Sequence, residues 1–175
     1  NYNQNTVDVF HACFNIAIFQ PPATIRGYSY PHNGDGMIGL GYVKEENYHE
    51  VASVKLLTPL IKDSAYCVSF WVKNSGIENM KYSVDRVGLF FSSDTITGFQ
   101  IHQEIASVES NEDLSIREWV QVEGYYIASG LEKFANVGFF GPNINKYQNK
   151  PYQVGTNYAP YYFFDDVSVT MCNKD

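Results

Sequence analysis

The feature that most constrains the fold of this chain is a series of short strand-like runs with almost no helical pattern between them. The runs alternate apolar with polar residues, or are rich in β-branched and aromatic residues, as β-strands are. They cover residues 37–43, 50–57, 65–73, 85–93, 99–105, 118–128, 134–140 and 163–171. The best candidate for a helical turn is Ile77–Met80. We therefore predict an all-β fold, an antiparallel sandwich or barrel.

Composition agrees with this fold class and argues against several functions. The chain has 175 residues, of which 45% are hydrophobic and 16% aromatic, which is enough for one domain with a core. We expect a single domain over residues 1–175, with 1–36 and 143–160 as long ordered loops. The net charge of −7 and the lack of a Lys/Arg cluster argue against a nucleic-acid partner. No apolar run approaches the ~20 residues of a transmembrane helix.

Alternation assigns two faces to the runs at 65–73 and 118–128. One face of each is apolar and is predicted to point into the core. These core residues are Tyr66, Val68, Phe70 and Val72 in the first run, and Val120, Val122, Gly124 and Tyr126 in the second. The opposite faces carry Cys67, Ser69, Trp71 and Lys73, and Trp119, Gln121, Glu123 and Tyr125. Both tryptophans are therefore predicted to lie on outer faces.

The closing run contains two adjacent carboxylates, Asp165 and Asp166. Because neighbouring strand residues point to opposite faces, Asp165 is predicted to lie on the core side. On that side it would accompany Phe163, Val167, Val169 and Met171. A carboxylate among apolar neighbours needs hydrogen bonds, a cation or a metal ion. Backbone N–H groups, Arg26, Arg86 and a metal ion all stay open as its partners.

The three cysteines lack the spacing of a zinc site, because none belongs to a C-x-x-C pair. Cys67 lies in the middle of a strand-like run, and we expect a small buried apolar residue there. Cys13 and Cys172 lie near the two ends of the chain, which allows a disulfide between them. An odd number of cysteines leaves at least one thiol free or paired outside the chain.

Several segments in one order resemble a known family. The segments GYSYPHNGDGMIGLGYV, HEVASVKLLTPLIKDSAYCVSFWVK, REWVQVEGYYIASG and YYFFDDVSV resemble galactose-binding-like jelly rolls, especially the carbohydrate-binding modules of bacterial glycoside hydrolases. The opening DVFHAC and the segment YPHNGDG resemble secreted and surface modules of Bacteroidota, which often precede gliding- or type-nine-secretion-related C-terminal modules. The resemblance covers most of residues 8–172. It implies an antiparallel β-sandwich of jelly-roll type with about eight to nine strands, and a secreted or cell-surface location within a larger polypeptide or assembly.

Such jelly rolls commonly hold a structural calcium ion near the closing strand. The resemblance implies that Asp165 or Asp166 is a ligand, helped by backbone carbonyls and by Asp8 of the N-terminal segment. Oxygen ligands of this kind suit Ca²⁺. The chain departs from the family pattern at its start, because relatives open with an N-x-x-F-E strand whose Glu can join the metal. No such strand is visible here.

Two loops and two strands carry residues suited to sugar binding, which needs flat aromatic faces and planar polar groups. The candidates in one loop are Tyr28, Tyr30, His32, Asn33 and Asp35, and in the other Tyr147, Tyr152 and Tyr158. Trp71 and Trp119 join them if their outer faces are open. The alternative is that the tyrosines fill sandwich edges and that loops cover the tryptophans.

No sequence motif for catalysis is present. The chain lacks G-x-S-x-G, H-E-x-x-H and a Gly-rich phosphate loop, and its four histidines are scattered. We therefore expect a non-catalytic, extracellular carbohydrate-binding module whose partner is a glycan. The alternative is a structural or adhesive module that binds a protein within a cell-surface assembly.

Overall fold

A computed structural model describes residues 7–43, 48–75, 82–84, 86–96, 106–110, 114, 118–140, 146–148 and 160–172. These residues form antiparallel sheets with one short 3-10 turn, Ala17–Phe19, which confirms the all-β fold class. The strands are β1 (Asp8–His11), β2 (Ala23–Thr24), β3 (Gly27–Tyr28), β4 (Gly36–Val43), β5 (Tyr48–His49), β6 (Val51–Lys55), β7 (Ala65–Asn74), β8 (Tyr82–Val84), β9 (Val87–Ser92), β10 (Val108–Glu109), β11 (Val120–Ile127), β12 (Phe134–Phe139), β13 (Lys146–Gln148) and β14 (Tyr161–Met171). Within these ranges no helix has the length and apolarity needed to cross a membrane.

The two main sheets have the strand order of a jelly roll. One sheet runs β1-β4-β14-β7-β11, with the short β5 also on β4, and the other runs β10-β9-β12-β6. The chain passes repeatedly from one sheet to the other, so that strands adjacent in sequence face each other across the core. With β5 the first sheet has six strands and the second has four, so the described residues form ten strands in these two sheets, slightly more than the eight to nine predicted.

The main core lies between these sheets and contains the predicted apolar faces of β7 and β11. Phe70 and Val72 of β7 are fully buried, and Val122 of β11 is nearly so. They pack against Tyr162 and Phe164 of β14 and against residues of the second sheet. Alternation within a strand therefore predicts the buried face correctly on both β7 and β11.

A second apolar cluster lies on the outer side of the first sheet. Phe10 and Phe163 are its fully buried members, and their rings meet edge to face at 5.5 Å. Phe19 and Trp119 pack against this cluster from the N-terminal segment and from the residue before β11. Residues 7–36 thus cover part of the outer face and hold the loop that forms the candidate site.

The prediction that Asp165 lies on the core side is wrong, because β14 contains a bulge. Asp165 pairs with Trp71, but the next aligned pair is Ser168 with Ser69. Three residues of β14 therefore span the distance of two on β7, which reverses the alternation. Phe163 and Asp165 lie on the outer face, whereas Val169 packs against the main core.

Cys67 is not the buried apolar residue that the sequence leads us to expect, and the disulfide found is not the one that the two chain ends allow. Cys67 and Cys172 form a disulfide with their Cα atoms 5.1 Å apart, and Cys13 is an exposed free thiol. The register of β14 on β7 explains this pairing. Thr170 lies opposite Cys67, and Cys172 follows Thr170 by two residues, which keeps it on the same side of the sheet. Cys67 is exposed, since it belongs to the outer face of β7.

Some predictions fall outside the described residues. These are the run at 99–105, the turn at Ile77–Met80, Tyr152, Tyr158 and most of the loop 143–160. Tyr147 belongs to β13, where its backbone pairs with Ser83, but its side chain is not among the described groups.

Candidate functional site

The loop of residues 30–35, here called the His32 loop, is fixed to the outer face of the first sheet by Asp165. One oxygen of this carboxylate, Oδ2, accepts the backbone N–H of His32 at 2.8 Å and that of Asn33 at 3.2 Å. The other oxygen accepts the N–H of Asp166 at 2.8 Å. The bulge presents Asp165 to the loop. The sequence leaves several partners of Asp165 open, and the structure pairs it with backbone N–H groups.

The arginines considered as partners of Asp165 bond to other carboxylates. Arg26 Nε lies 3.0 Å from Asp8, and Arg86 Nη1 lies 3.4 Å from Glu109. Asp165 therefore acts here as an acceptor for the loop backbone, in the way that a buried or half-buried carboxylate is commonly satisfied.

The imidazole of His32 lies between two tryptophans and a carboxylate. Its ring stacks on Trp71 with centroids 3.8 Å apart and an interplanar angle of 15°. It meets Trp119 edge to face at 5.9 Å. Its Nδ1 is 2.6 Å from Oδ2 of Asp166. Asp166 reaches this position with a left-handed backbone, φ 49°, which the bulge imposes.

These contacts determine the chemistry that His32 presents. A carboxylate accepts hydrogen bonds, so Nδ1 donates to Asp166, and in the neutral ring Nε2 then carries a free lone pair. The side chains of His32 and Asp166 remain 28% and 35% exposed. The site therefore offers a fixed imidazole acceptor next to a carboxylate, both reachable from solvent.

Tyr28 and Tyr30 extend the aromatic surface from the loop. The backbone carbonyl of Tyr30 accepts the indole N–H of Trp119 at 3.2 Å. Both tyrosines are 63% exposed, and their rings are perpendicular with centroids 6.0 Å apart. Their faces are open, whereas His32 covers one face of Trp71. The open stacking surfaces of this region are therefore the two tyrosines.

The structure brings most of the predicted sugar-binding residues together but leaves Asp35 at the margin. Tyr30, His32, Asn33, Trp71 and Trp119 form the cluster described above. Asp35 is exposed at the end of the loop, where its carbonyl accepts the N–H of Ala12 at 2.9 Å.

Three residues of β11 belong to the same outer face and were not chosen from the sequence. Gln121 lies opposite Trp71 in the register, and Glu123 and Tyr125 follow on the same side. All three are exposed, Tyr125 by 76%. Alternation along β11 predicts that these three residues lie on its outer face. The sequence does not show that β11 pairs with β7, the strand of Trp71.

The carboxylates predicted to share calcium lie in two separate clusters. Asp8 accepts from Arg26 and, at 2.5 Å, from the hydroxyl of Tyr161. The Arg26 guanidinium lies 5.0 Å from the centre of the Tyr161 ring. Burial, and then the hydrogen bond to Asp8, raises the pKa of Tyr161, so its hydroxyl stays a donor. Within the described ranges no group of three or more His, Cys, Asp and Glu side chains is placed to hold a metal ion.

Glu132, in the turn after β11, is a carboxyl with a strongly shifted pKa. Burial alone would raise that pKa, but hydrogen bonds from Tyr126 and Ser129 outweigh burial and lower the pKa to about 2. Gly130 N–H also donates to this carboxylate at 2.9 Å. A pKa lowered in this way is opposite to what a general acid at neutral pH requires. The geometry indicates that Glu132 stabilises the turn.

No protein-family model, curated protein or solved structure matches this chain.

Proposed function

We propose that this chain is a non-catalytic glycan-binding module of a secreted or cell-surface protein. The observation that carries the proposal is the cluster on the outer sheet face, where Asp165 and Asp166 hold His32 on Trp71 beside exposed tyrosines. Open aromatic faces next to fixed hydrogen-bonding groups are what a sugar ring requires, because it has an apolar C–H face and a rim of hydroxyls.

In this mechanism stacking and hydrogen bonding are divided among different residues. The exposed rings of Tyr28, Tyr30 and Tyr125 take the C–H faces of the sugar. His32 Nε2 accepts a hydrogen bond from one hydroxyl, and Asp166 accepts a hydrogen bond from another. Trp71 acts beneath His32, as the support that fixes the imidazole plane. The disulfide between Cys67 and Cys172 supports an extracellular location, since such bonds persist in oxidising compartments.

The test is binding to an array of glycans and soluble polysaccharides by the wild type and by matched variants. Tyr30→Ala and His32→Ala should each weaken binding about tenfold or more, which corresponds to ~1.4 kcal/mol. Val54→Ala is the control, because Val54 is also exposed but lies on β6 of the opposite sheet. Equal binding by all four proteins would show that this face is not the glycan-binding site. Hydrolysis of any of these glycans by the purified protein would contradict the non-catalytic assignment.

Calcium binding stays a prediction of the family resemblance. Asp165 and Asp166 supply oxygens of suitable chemistry, but the contacts described for them are with hydrogen-bond donors. An ion bound only by the native state adds stability, so calcium should raise the melting temperature and EDTA should lower it. A melting temperature that changes neither with calcium nor with EDTA would contradict the calcium prediction, and hydrogen bonds would then fully account for the partners of the two carboxylates.

A second candidate function, a module that binds a protein, is favoured by an apolar surface on the N-terminal segment. Its exposed members are Val9, Phe14, Ile16, Ile18 and Ile25. An open groove of about 400 Å³ lies among Val9, Phe14, Asn15, Ile16 and Phe19. No charged residue occurs between positions 9 and 25. Contiguous uncharged surfaces of this kind mark interaction sites.

The two functions can be separated with one variant on each surface. Ile16→Lys should abolish assembly with a protein partner or retention at the cell surface, and should leave glycan binding unchanged. His32→Ala should have the opposite effects. If Ile16→Lys alone changes both readouts, the protein-binding function is the better assignment.

A further inference from the structure

The His32 loop contains the single Asn-Gly dipeptide of the chain, Asn33-Gly34. This dipeptide is chemically labile because glycine has no Cβ to shield its nitrogen from the preceding side chain. Both residues are exposed, and Gly34 has open space where a Cβ would lie. We propose that Asn33 is a site of spontaneous deamidation, and that its conversion releases the His32 loop from β14. The inference does not depend on the proposed glycan binding.

The loop geometry brings the reacting groups together. The backbone N–H of Gly34 donates to the side-chain carbonyl Oδ1 of Asn33 at 2.9 Å. A rotation of the carboxamide then brings its Cγ over the Gly34 nitrogen. Gly34 has a φ of 61°, a conformation that glycine adopts without strain.

The reaction needs only water and base. Hydroxide removes the Gly34 N–H proton, the nitrogen attacks Cγ of Asn33, and the side-chain nitrogen leaves as ammonia. Water then opens the resulting cyclic imide at one of its two carbonyls. One opening gives aspartate, and the other gives isoaspartate, which adds a methylene to the backbone. The overall change is the uptake of one water and the loss of one ammonia.

The product disturbs the contacts that hold the loop. The N–H of Asn33 donates to Asp165, so a carboxylate at position 33 adds a negative charge near Asp165, Asp166 and Asp35. Like charges repel, the more strongly the closer they lie. In isoaspartate the longer backbone also shifts His32 and Gly34 relative to β14. Both products therefore weaken the stack of His32 on Trp71.

The sequence provides a clean assay for the modification. Trypsin cuts after Arg26 and Lys44, and the peptide between them, residues 27–44, contains Asn33 as its one asparagine. A mass gain of about one dalton in this peptide therefore reports Asn33 alone, since deamidation replaces NH₂ by OH. Asn74-Ser75 is an internal control, because it is also a labile dipeptide but is buried and donates to Leu114 O.

The native protein is incubated in mildly alkaline buffer, and the synthetic peptide of residues 27–44 is incubated beside it. In the native protein we expect the deamidated fraction of Asn33 to be on the order of tenfold that of Asn74. The buried Asn74 can react only when the structure around it opens locally. A native protein that stays unmodified while the free peptide reacts would overturn the proposal, because the fold would then protect the site.

The release of the loop has its own readout. The chain has two tryptophans, and both contact His32, so their fluorescence reports whether the loop is docked. The aged protein and Asn33→Asp should both show a changed tryptophan emission. Asn33→Ser, which can still accept the Gly34 N–H but cannot form the imide, should keep the emission of fresh protein throughout. Identical emission from fresh and fully deamidated protein would show that the loop stays docked.

Discussion

At the scale of single residues, Asp165 is the side chain on which the candidate site depends. Its carboxylate accepts three backbone N–H groups, two of them from a loop more than 130 residues away in sequence. Hydrogen bonds to a charged acceptor are stronger than those between neutral groups. Asp165 thus links the closing strand to the backbone of the His32 loop, while Trp71 and Asp166 hold the imidazole itself.

Asp165→Asn keeps the size and shape of the side chain almost unchanged, but it should release this loop. The amide is neutral, and one of its two acceptor oxygens is replaced by an NH₂ donor that faces N–H groups. We expect the free energy of unfolding to fall by about 1–3 kcal/mol and the tryptophan emission to change. Denaturant unfolding measures the first and fluorescence the second. Asp63→Asn is the control, because Asp63 is exposed in a left-handed turn position that asparagine tolerates.

Glu132 provides a second prediction at this scale, for the dependence of stability on pH. Its pKa is about 2 in the folded protein against an ordinary 4.5. A depressed folded pKa stabilises the native state above the ordinary pKa, and that stability is lost as the pH falls from about 4.5 towards 2. The loss should reach about 3 kcal/mol.

Glu132→Gln should therefore be less stable than the wild type by about 2–3 kcal/mol at neutral pH and should lose less on acidification. Glu118→Gln, at an exposed position, should follow the wild type. Parallel acid curves for the wild type and Glu132→Gln, measured by denaturant titration, would contradict the role of this carboxylate in the turn.

At the scale of elements, β14 shows what alternation predicts and where it fails. Counting faces from the sequence is correct on β7 and β11, where each register is regular. It fails at Phe163 and Asp165 of β14, because the extra residue between Asp165 and Ser168 gives opposite alternation to the two parts of the strand. Nothing in the run of two aspartates marks a bulge, since its cause is the pairing with β7 and the loop that Asp165 holds.

The cysteine pairing could not be predicted for a related reason. Alternation already placed Cys67 with Ser69 and Trp71 on the outer face, so an exposed cysteine was the consistent prediction. Its partner Cys172 could not be identified without the register of β14 on β7. Most members of the cluster around His32 were predictable one by one, but their assembly depends on that same register.

Removal of this disulfide should destabilise the sandwich. The bond closes a loop with a sequence separation of 105 residues, and it joins the end of β14 to β7. Cys67→Ser with Cys172→Ser should lower the free energy of unfolding by about 2–4 kcal/mol, because the unfolded chain regains freedom. Cys13→Ser should have no effect, since Cys13 is exposed and unpaired. Equal denaturation midpoints for the double variant and the wild type would contradict this expectation.

At the scale of the whole molecule, the jelly roll separates the core from two outer surfaces of different character. The outer face of β14, β7 and β11 carries the aromatic and carboxylate cluster, whereas the N-terminal segment exposes uncharged apolar side chains. In the two functions proposed above, the first surface binds a glycan and the second binds a protein. Because the two surfaces are separate, these proposals do not exclude each other.

The most direct test of this account is a titration of tryptophan fluorescence with the polysaccharides that bind in the array. Because both tryptophans contact His32, we expect a saturable change in emission on binding. We expect His32→Ala to weaken the affinity about tenfold or more. Saturable glycan binding that leaves the emission unchanged and is equally tight in His32→Ala would contradict the account.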